Sequence, residues 1–228
     1  FRMPALPTDV ELATFIGRRY VEIERAKRTV KFRPDADSAH IGHILGHAGF
    51  DVIAASGARP SWWLLGYEHG LRQEPLEEQI RYRRTIGAVC EILGAPFERE
   101  RTRPAVAPDS VVCVENLLRG QRWYGSEYQD PLWKHFVHEL KNWHYEGRQH
   151  ADLIEAMVQS AHRRPPHEPE QIQLALRMLR EWFIPHIEDV GDQHQGTKFY
   201  LLGMAHVLPL ARWMEAKDIP YVGLVQGR

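Results

Sequence analysis

Two histidines flank a glycine in the run Ser38-Ala39-His40-Ile41-Gly42-His43, which follows a β-like stretch at residues 29–32. This order predicts a strand, a tight turn and a helix that opens near His40. Unpaired N–H groups and the helix dipole attract anions to a helix N-terminus. A glycine at that point lets a flat ligand approach the backbone. The pattern therefore predicts a site for a nucleotide phosphate, with His40 and His43 beside the anion.

A second concentration of histidines and carboxylates lies in the second half of the chain. Such side chains on facing helices can bind zinc or a di-iron pair, but neither paired Glu-x-x-His nor His-Glu-x-x-His occurs. Half-exposed helical histidines are the favoured interpretation, so no metal site is predicted and a metal-dependent oxidase is a third alternative. The residues concerned are His135, His138, Glu139, His144, Glu146 and His150.

Other common catalytic motifs are missing from the sequence. A Gly-x-Ser-x-Gly elbow and a Gly-rich Walker loop are both absent, so serine hydrolase and P-loop NTPase chemistry lack their key parts. Asp192 and Gln193, in a polar loop predicted at residues 191–196, have the side chains to hydrogen-bond a ribose or an amino acid. A polar loop has that composition in any case, so the pair alone indicates no function.

The composition is that of an ordinary soluble globular protein with little net charge. The formal charge of -1 over 228 residues excludes a strongly basic surface for the chain as a whole. Arginine clusters at residues 81–84 and 99–103 are candidate RNA contacts, although such clusters are more often solvated. Cys90 and Cys113 stand in apolar settings and are expected to be reduced core residues. The expected compartment is the cytoplasm, or the mitochondrial matrix if a transit peptide has been removed.

Hydrophobic periodicity predicts an α/β protein with a parallel sheet covered by helices. Helices are expected at residues 8–27, 40–55 and 76–93, alternating with strands at 29–32, 62–65 and 111–114. The second half reads as helices at 131–160, 170–184 and 198–216, followed by a strand at 219–225. One Rossmann-like domain spanning residues 1–228, with a mostly helical insertion at 117–190, is the simplest organisation.

The segment at residues 31–43, Lys-Phe-Arg-Pro-Asp-Ala-Asp-Ser-Ala-His-Ile-Gly-His, resembles the opening of class I aminoacyl-tRNA synthetases. It is most similar to the tyrosyl branch, whose pattern runs GFDPTADSLHIGH. Downstream, Ser56-Gly57-Ala58-Arg59-Pro60 and the apolar run at 62–65 look like that family's AGHxP turn and second strand. Gly191-Asp192-Gln193 resembles its GSDQ loop. The resemblance is specific over residues 29–66 and implies a HIGH-type nucleotidyl transferase fold.

The resemblance implies roles for particular residues. His40 and His43 would stabilise the α-phosphate while a carboxylate displaces pyrophosphate from ATP, which binds with Mg²⁺. Ser38, Gly42 and Asp35 would occupy the ATP-binding positions, with Gly42 against the adenine. The substrate-binding positions correspond to Arg33, Asp192 and Gln193.

Some of these positions depart from the family pattern. Arg33 replaces the acid that holds the substrate ammonium, Asp35 replaces a phosphate-contacting threonine, and Thr29 stands where a tyrosine would read a phenol. A Lys-Met-Ser-Lys-Ser loop is also absent. These changes leave two function classes open. The first is a divergent enzyme that activates a carboxylic or amino acid as its adenylate, with Arg33 pairing an extra substrate carboxylate.

The second class is a catalytically inactive paralogue that binds RNA or serves as a subunit of a larger assembly. The loss of the lysine loop and the changes at Arg33 and Asp35 favour it. The expected partners are accordingly a small-molecule acid, tRNA or another RNA, and further copies of the chain or other subunits.

Overall fold

The structure is a computed structural model, which describes residues 4–67, 75–94, 103–107, 109–114 and 169–227. It is a mixed α/β fold with a five-stranded, mostly parallel sheet, compatible with a Rossmann-like architecture. The strands are β1 (Phe50–Ser56), β2 (Trp62–Tyr67), β3 (Val111–Val114), β4 (Lys198–Gly203) and β5 (Tyr221–Gln226). The helices are α1 (Asp9–Gly17), α2 (Arg19–Thr29), α3 (Ala36–His47), α4 (Pro75–Leu93), α5 (Pro169–Met178), α6 (Ile184–Gln193) and α7 (Val207–Ala216).

The sheet order is β1-β5-β2-β4-β3. Strands β2 to β5 run parallel, whereas β1 pairs antiparallel with β5, Phe50 facing Gln226 and Ser56 facing Tyr221. The parallel strands therefore define two edges of the sheet. We call the edge at Tyr67, Gly203 and Gln226 the carboxyl edge and the opposite one the amino edge.

Both faces of the sheet are buried, which explains why its central strands are continuous apolar runs. Trp63 and Leu65 of β2 belong to the core beneath α3 and α4, the α4 face. Trp62 and Leu64 belong to the core beneath α1, α2, α5, α6 and α7, the α7 face. The alternation along β2 thus divides its side chains between two separate cores.

Four predicted elements are confirmed: β2, α4, β3 and β5. The buried free thiols of Cys90 and Cys113 confirm their assignment to the core, and burial raises the pKa of Cys90 to about 12. No helix in the described ranges is long and apolar enough to cross a membrane.

The strand predicted at residues 29–32 is wrong. Helix α2 continues to Thr29, and the chain then runs without regular structure to the start of α3 at Ala36. The helix expected to reach residue 55 is also wrong, because α3 ends at His47. Gly49 turns the chain at a φ of +91°, a conformation that glycine adopts without strain. The chain then returns as β1, which pairs with β5.

The helix predicted at residues 198–216 is wrong in its first third. Residues 198–203 form β4 between β2 and β3, and only Val207–Ala216 is α-helical, after a 3₁₀ turn at Met204–His206. A short apolar run of this kind does not distinguish a buried strand from a helix. The predicted helix at 8–27 divides at Arg18 into α1 and α2.

Residues 169–193 are helical throughout, before the chain enters β4. Helix α5, a π-helical segment at Leu179–Phe183 and α6 follow one another, so the predicted loop at 191–196 begins only after Gln193. The remainder of the predicted insertion, residues 117–168, lies outside the described residues. It includes the predicted helix at 131–160 and the histidine and carboxylate concentration at 135–150.

Candidate functional site

The N-terminus of α3 is capped by the side chain of the residue that precedes the helix. Asp35 is the N-cap, and its Oδ1 accepts a hydrogen bond from the Ser38 N–H at 2.9 Å. Arg59, in the turn between β1 and β2, forms an ion pair with the same carboxylate. The hydrogen bond from the Ser38 N–H is the main cause that holds the pKa of Asp35 below its usual value. A negative charge therefore already occupies this helix terminus.

Helix α3 also begins at the amino edge of the sheet. The Asp35 N–H donates to the Ala58 carbonyl at 3.0 Å, in the turn that precedes β2. Ligands of open α/β sheets bind outside the carboxyl ends of the strands. The described residues around Asp35 and Ser38 therefore do not suit a triphosphate, for two reasons. A carboxylate already lies at the N-terminus of the helix, and the helix begins at the amino edge, whereas ligands bind at the carboxyl edge.

The two histidines of the His-Ile-Gly-His run do not contact one another. Instead, His43 Nε2 lies 3.0 Å from His47 Nε2, with ring centroids 4.4 Å apart and the rings nearly perpendicular. His40 is exposed one turn earlier on the helix. The space beside the Gly42 Cα is open, because a Cβ built there would meet no atom within 4 Å among the described residues.

The other predicted substrate-binding residues lie away from α3. Gln193 ends α6, and its Nε2 donates to Asp189 Oδ1 at 2.9 Å, while Asp192 is exposed beside it. Helix α6 packs on the α7 face and α3 packs on the α4 face, so the sheet separates them. Arg33 is exposed in the segment before α3. The structure does not bring the predicted residues into one pocket.

A polar cluster that the sequence analysis missed lies at the amino edge, where the loop after α6 enters β4. The Asp109 carboxylate receives hydrogen bonds from His194 Nδ1 at 3.0 Å, from Gln195 N–H at 2.8 Å and from Gly196 N–H at 3.3 Å. The hydrogen bond with His194 is the main cause that lowers the pKa of Asp109. The cluster fastens the start of β3 to the start of β4.

The carboxyl edge has the arrangement that favours a ligand. The helices that follow the neighbouring strands β2 and β4 in sequence lie on opposite faces of the sheet, α4 on one and α7 on the other. Such divergence marks the binding crevice of α/β sheets. Neither the 3₁₀ turn at Met204–His206 nor the first turn of α7 contains an acidic residue. We call this region, residues 203–207 with Gly66, the carboxyl-edge site.

Two glycines bring the start of α7 down onto the sheet. A Cβ on Gly66 would lie 2.5 Å from Val207 Cγ2, 3.1 Å from Met204 Cα and 3.2 Å from the Leu224 carbonyl oxygen. A Cβ on Gly223 would lie 2.9 Å from Val207 Cγ1. The Val207 side chain therefore has room only because positions 66 and 223 are glycine. This close packing holds the 3₁₀ turn at Met204–His206, which runs directly into α7, at the carboxyl edge.

Aromatic rings and imidazoles pack beneath the carboxyl-edge site. The buried His186 Nδ1 lies 2.9 Å from the Tyr200 hydroxyl, and His206 packs on Phe183 with ring centroids 4.8 Å apart. Phe183 ends the π-helical segment, a rare conformation that often occurs near functional sites. The sequence pattern did not reveal this cluster, because four separate elements contribute to it.

The His186–Tyr200 pair should make the protein less stable in mild acid. Burial lowers the pKa of the His186 imidazole, and Asp189 opposes that shift only in part. Below the usual histidine pKa of about 6.5, the unfolded state binds a proton that the folded state does not, so stability falls as pH falls. We expect the thermal midpoint to decrease from pH 7 to pH 5.

The double variant His186→Phe, Tyr200→Phe should flatten this pH dependence of the thermal midpoint. The control His40→Ala, at an exposed position, should leave it unchanged. An unaltered slope in the double variant would assign the effect to other groups.

Comparison with known proteins does not identify the chain: no family model, curated protein or solved structure matches it. The fold therefore defines the class on its own, a mixed α/β protein with a mostly parallel five-stranded sheet.

Proposed function

We propose that this protein binds a nucleotide, or a similar small molecule bearing a phosphate or carboxylate, at the carboxyl-edge site. The observation that carries the proposal is the 3₁₀ turn at Met204–His206 with the start of α7, which packs on Gly66 of β2 and contains no acidic side chain. Backbone N–H groups and the helix dipole at such a terminus attract an anion. The contrast with α3 supports this choice, because Asp35 already neutralises that terminus.

In its enzymatic form, the proposal is that bound ATP, with Mg²⁺, activates a carboxylic or amino acid as its adenylate. The support is the synthetase-like segment at residues 31–43, and this form of the proposal includes the HIGH-type fold that the segment implies. The geometry of α3 gives less support to catalysis by His40 and His43, because the helix opens at the amino edge. Among the described residues no group of three or more His, Cys, Asp or Glu side chains is arranged for a metal ion. ATP–pyrophosphate exchange across a panel of amino acids tests this form of the proposal.

A charge placed in the 3₁₀ turn that leads into α7 should distinguish the two possible ATP sites. Ala205→Asp adds a negative charge there, and we expect it to weaken ATP binding by more than about tenfold, equivalent to 1.4 kcal/mol. Ala205→Asn is the matched neutral control and should bind ATP nearly as the parent does. Binding is measured by calorimetry on folded protein.

Gly42→Ala tests, in the same binding experiment, the other possible ATP site, the one at α3. It should leave ATP binding unchanged if the nucleotide binds at α7, and should abolish binding if adenine packs on Gly42 as the synthetase resemblance implies. Loss of binding in Gly42→Ala together with normal binding in Ala205→Asp would overturn the carboxyl-edge site.

A catalytically inactive, RNA-binding protein or assembly subunit is the second candidate, and a basic surface along α2 favours it. A shallow groove of about 580 Å³ runs along this helix and is lined by Tyr20, Val21, Glu24, Arg25, Arg28 and Thr29. Arginine and tyrosine side chains suit the phosphates and bases of single-stranded RNA. RNA binding that weakens with salt and with Arg28→Ala, without any pyrophosphate exchange, would favour this candidate.

The metal-dependent oxidase remains a third proposal, which depends on residues 135–150. Stoichiometric zinc or iron in the purified, untagged protein would support it, and that measurement needs no assumption about the geometry of those residues.

A further inference from the structure

We propose that His43 and His47 form a bidentate chelate for a divalent late first-row transition metal ion. This site is separate from the proposed nucleotide site, because it uses the last two turns of α3 and not the start of α7. The two Nε2 atoms lie 3.0 Å apart on exposed side chains. Imidazole nitrogen is a preferred ligand of Zn²⁺, Cu²⁺, Ni²⁺ and Co²⁺.

The separation of the two nitrogens suits chelation of one ion. Zn–N bonds are about 2.0–2.1 Å long. Two such bonds at an angle between 90° and the tetrahedral value bring their nitrogens about 2.8–3.4 Å apart. The Nε2–Nε2 distance of 3.0 Å falls within that range. An ion bound between the two nitrogens would replace the direct His43–His47 hydrogen bond.

The helix holds the two imidazoles on one side of α3. Residues four apart lie on the same helix face, and Ile44 and Leu45 bury the opposite side in the core of the α4 face. The C-terminal end of α3 is tied to β5, because the Gln226 amide donates to the Ala48 carbonyl at 3.3 Å and the Gly227 N–H donates to the Gly49 carbonyl at 2.7 Å. The chelating pair is therefore carried by a fixed element.

Electrostatics also favours a cation at this end of the helix. His47 is in the last turn of α3, where the free carbonyl groups give the helix dipole its negative end. The first turn, by contrast, contains Asp37 and is capped by Asp35. The same helix thus neutralises its positive end with acidic side chains and presents imidazoles at its negative end.

The coordination shell would remain open to other ligands. In the part of the chain that the structure describes, no third His, Cys, Asp or Glu joins the pair to complete a metal-binding group. Two protein ligands leave at least two positions of a tetrahedral ion for water or a small molecule. The inferred site is an exposed, exchangeable one in which the ion can polarise an added oxygen ligand, unlike a closed structural zinc site.

Metal titration of matched variants tests the chelate. Untagged full-length protein is titrated with Zn²⁺ by calorimetry and with Cu²⁺ by electron paramagnetic resonance. We expect one saturable site per chain at the pair and nitrogen hyperfine structure from two imidazoles. His43→Ala and His47→Ala should each weaken binding by more than about tenfold, because a single remaining imidazole cannot chelate.

The control is His40→Ala, which removes an exposed histidine of the same helix that does not contact the pair. It should bind metal as the parent does, and circular dichroism of all three variants verifies that α3 is retained. Equal binding by the parent, His43→Ala and His47→Ala would overturn the proposal, as would an equal loss in His40→Ala. The absence of saturable binding in the parent would overturn it as well. None of these outcomes depends on whether ATP binds.

Discussion

Replacing Gly66 with alanine is expected to lower the free energy of unfolding by about 3 kcal/mol, the upper part of the range for overpacking a core. The added Cβ would lie 2.5 Å from Val207 Cγ2 and close to two backbone atoms, at Met204 and Leu224. The backbone atoms belong to the sheet and to the turn before α7, so they cannot move aside without shifting the helix. Denaturant unfolding monitored by circular dichroism measures the change.

Gly42→Ala is the matched control for this substitution. Gly42 lies within α3, and a Cβ there would meet nothing within 4 Å among the described residues. Alanine is favoured over glycine inside a helix by about 0.5–1 kcal/mol, so this variant should be more stable than the parent. Similar stability of the two variants would show that α7 does not rest on Gly66 as described.

The consequence of Gly66→Ala for function follows from the same contact. If α7 lifts away from β2, the 3₁₀ turn before it moves from the carboxyl edge with its N–H groups, and the affinity for ATP should fall in the protein that remains folded. Gly42→Ala should change stability without changing this affinity. A Gly66→Ala variant that is destabilised yet binds ATP normally would argue against the carboxyl-edge site while leaving the fold intact.

Removing the hydroxyl of Tyr200 is expected to destabilise the protein by about 2 kcal/mol. Tyr200→Phe takes away the oxygen that lies 2.9 Å from His186 Nδ1, and both side chains are buried. A buried polar group that loses its partner costs about 1–3 kcal/mol, more than the net value of the hydrogen bond itself. The measurement is denaturant unfolding at pH 7, where the buried imidazole is neutral.

A double-mutant cycle separates the hydrogen bond from the packing of the two rings. His186→Phe and Tyr200→Phe are measured singly and together, and their destabilisations should not add. The double variant should be more stable than the sum predicts, because it leaves neither polar group without its partner. Strict additivity would mean that the two side chains do not interact energetically.

Much of the secondary structure could be predicted from local sequence. The sequence correctly predicts strands β2, β3 and β5 from their apolar runs and helix α4 from its long periodic pattern. Hydrophobicity, and the Pro and Gly residues at which such elements begin or end, are local properties of the sequence. The strands at 50–56 and 198–203 are not predicted, because each is a strand only through its neighbours. β1 depends on antiparallel pairing with β5, and β4 on insertion between β2 and β3.

The candidate site likewise has features that follow from local sequence and features that follow only from the tertiary structure. The sequence by itself determined the α/β class, the buried cysteines and the chemistry available in the His-Ile-Gly-His run. The local helix α3 is enough to set His43 against His47 and to let Asp35 cap it. Only the tertiary structure decided that α3 begins at the amino edge and that α7 rests on Gly66 at the opposite edge. The physical reason is that side-chain chemistry is local, whereas the edge of the sheet at which a helix begins follows from strand order and direction, which are set by pairing between distant segments.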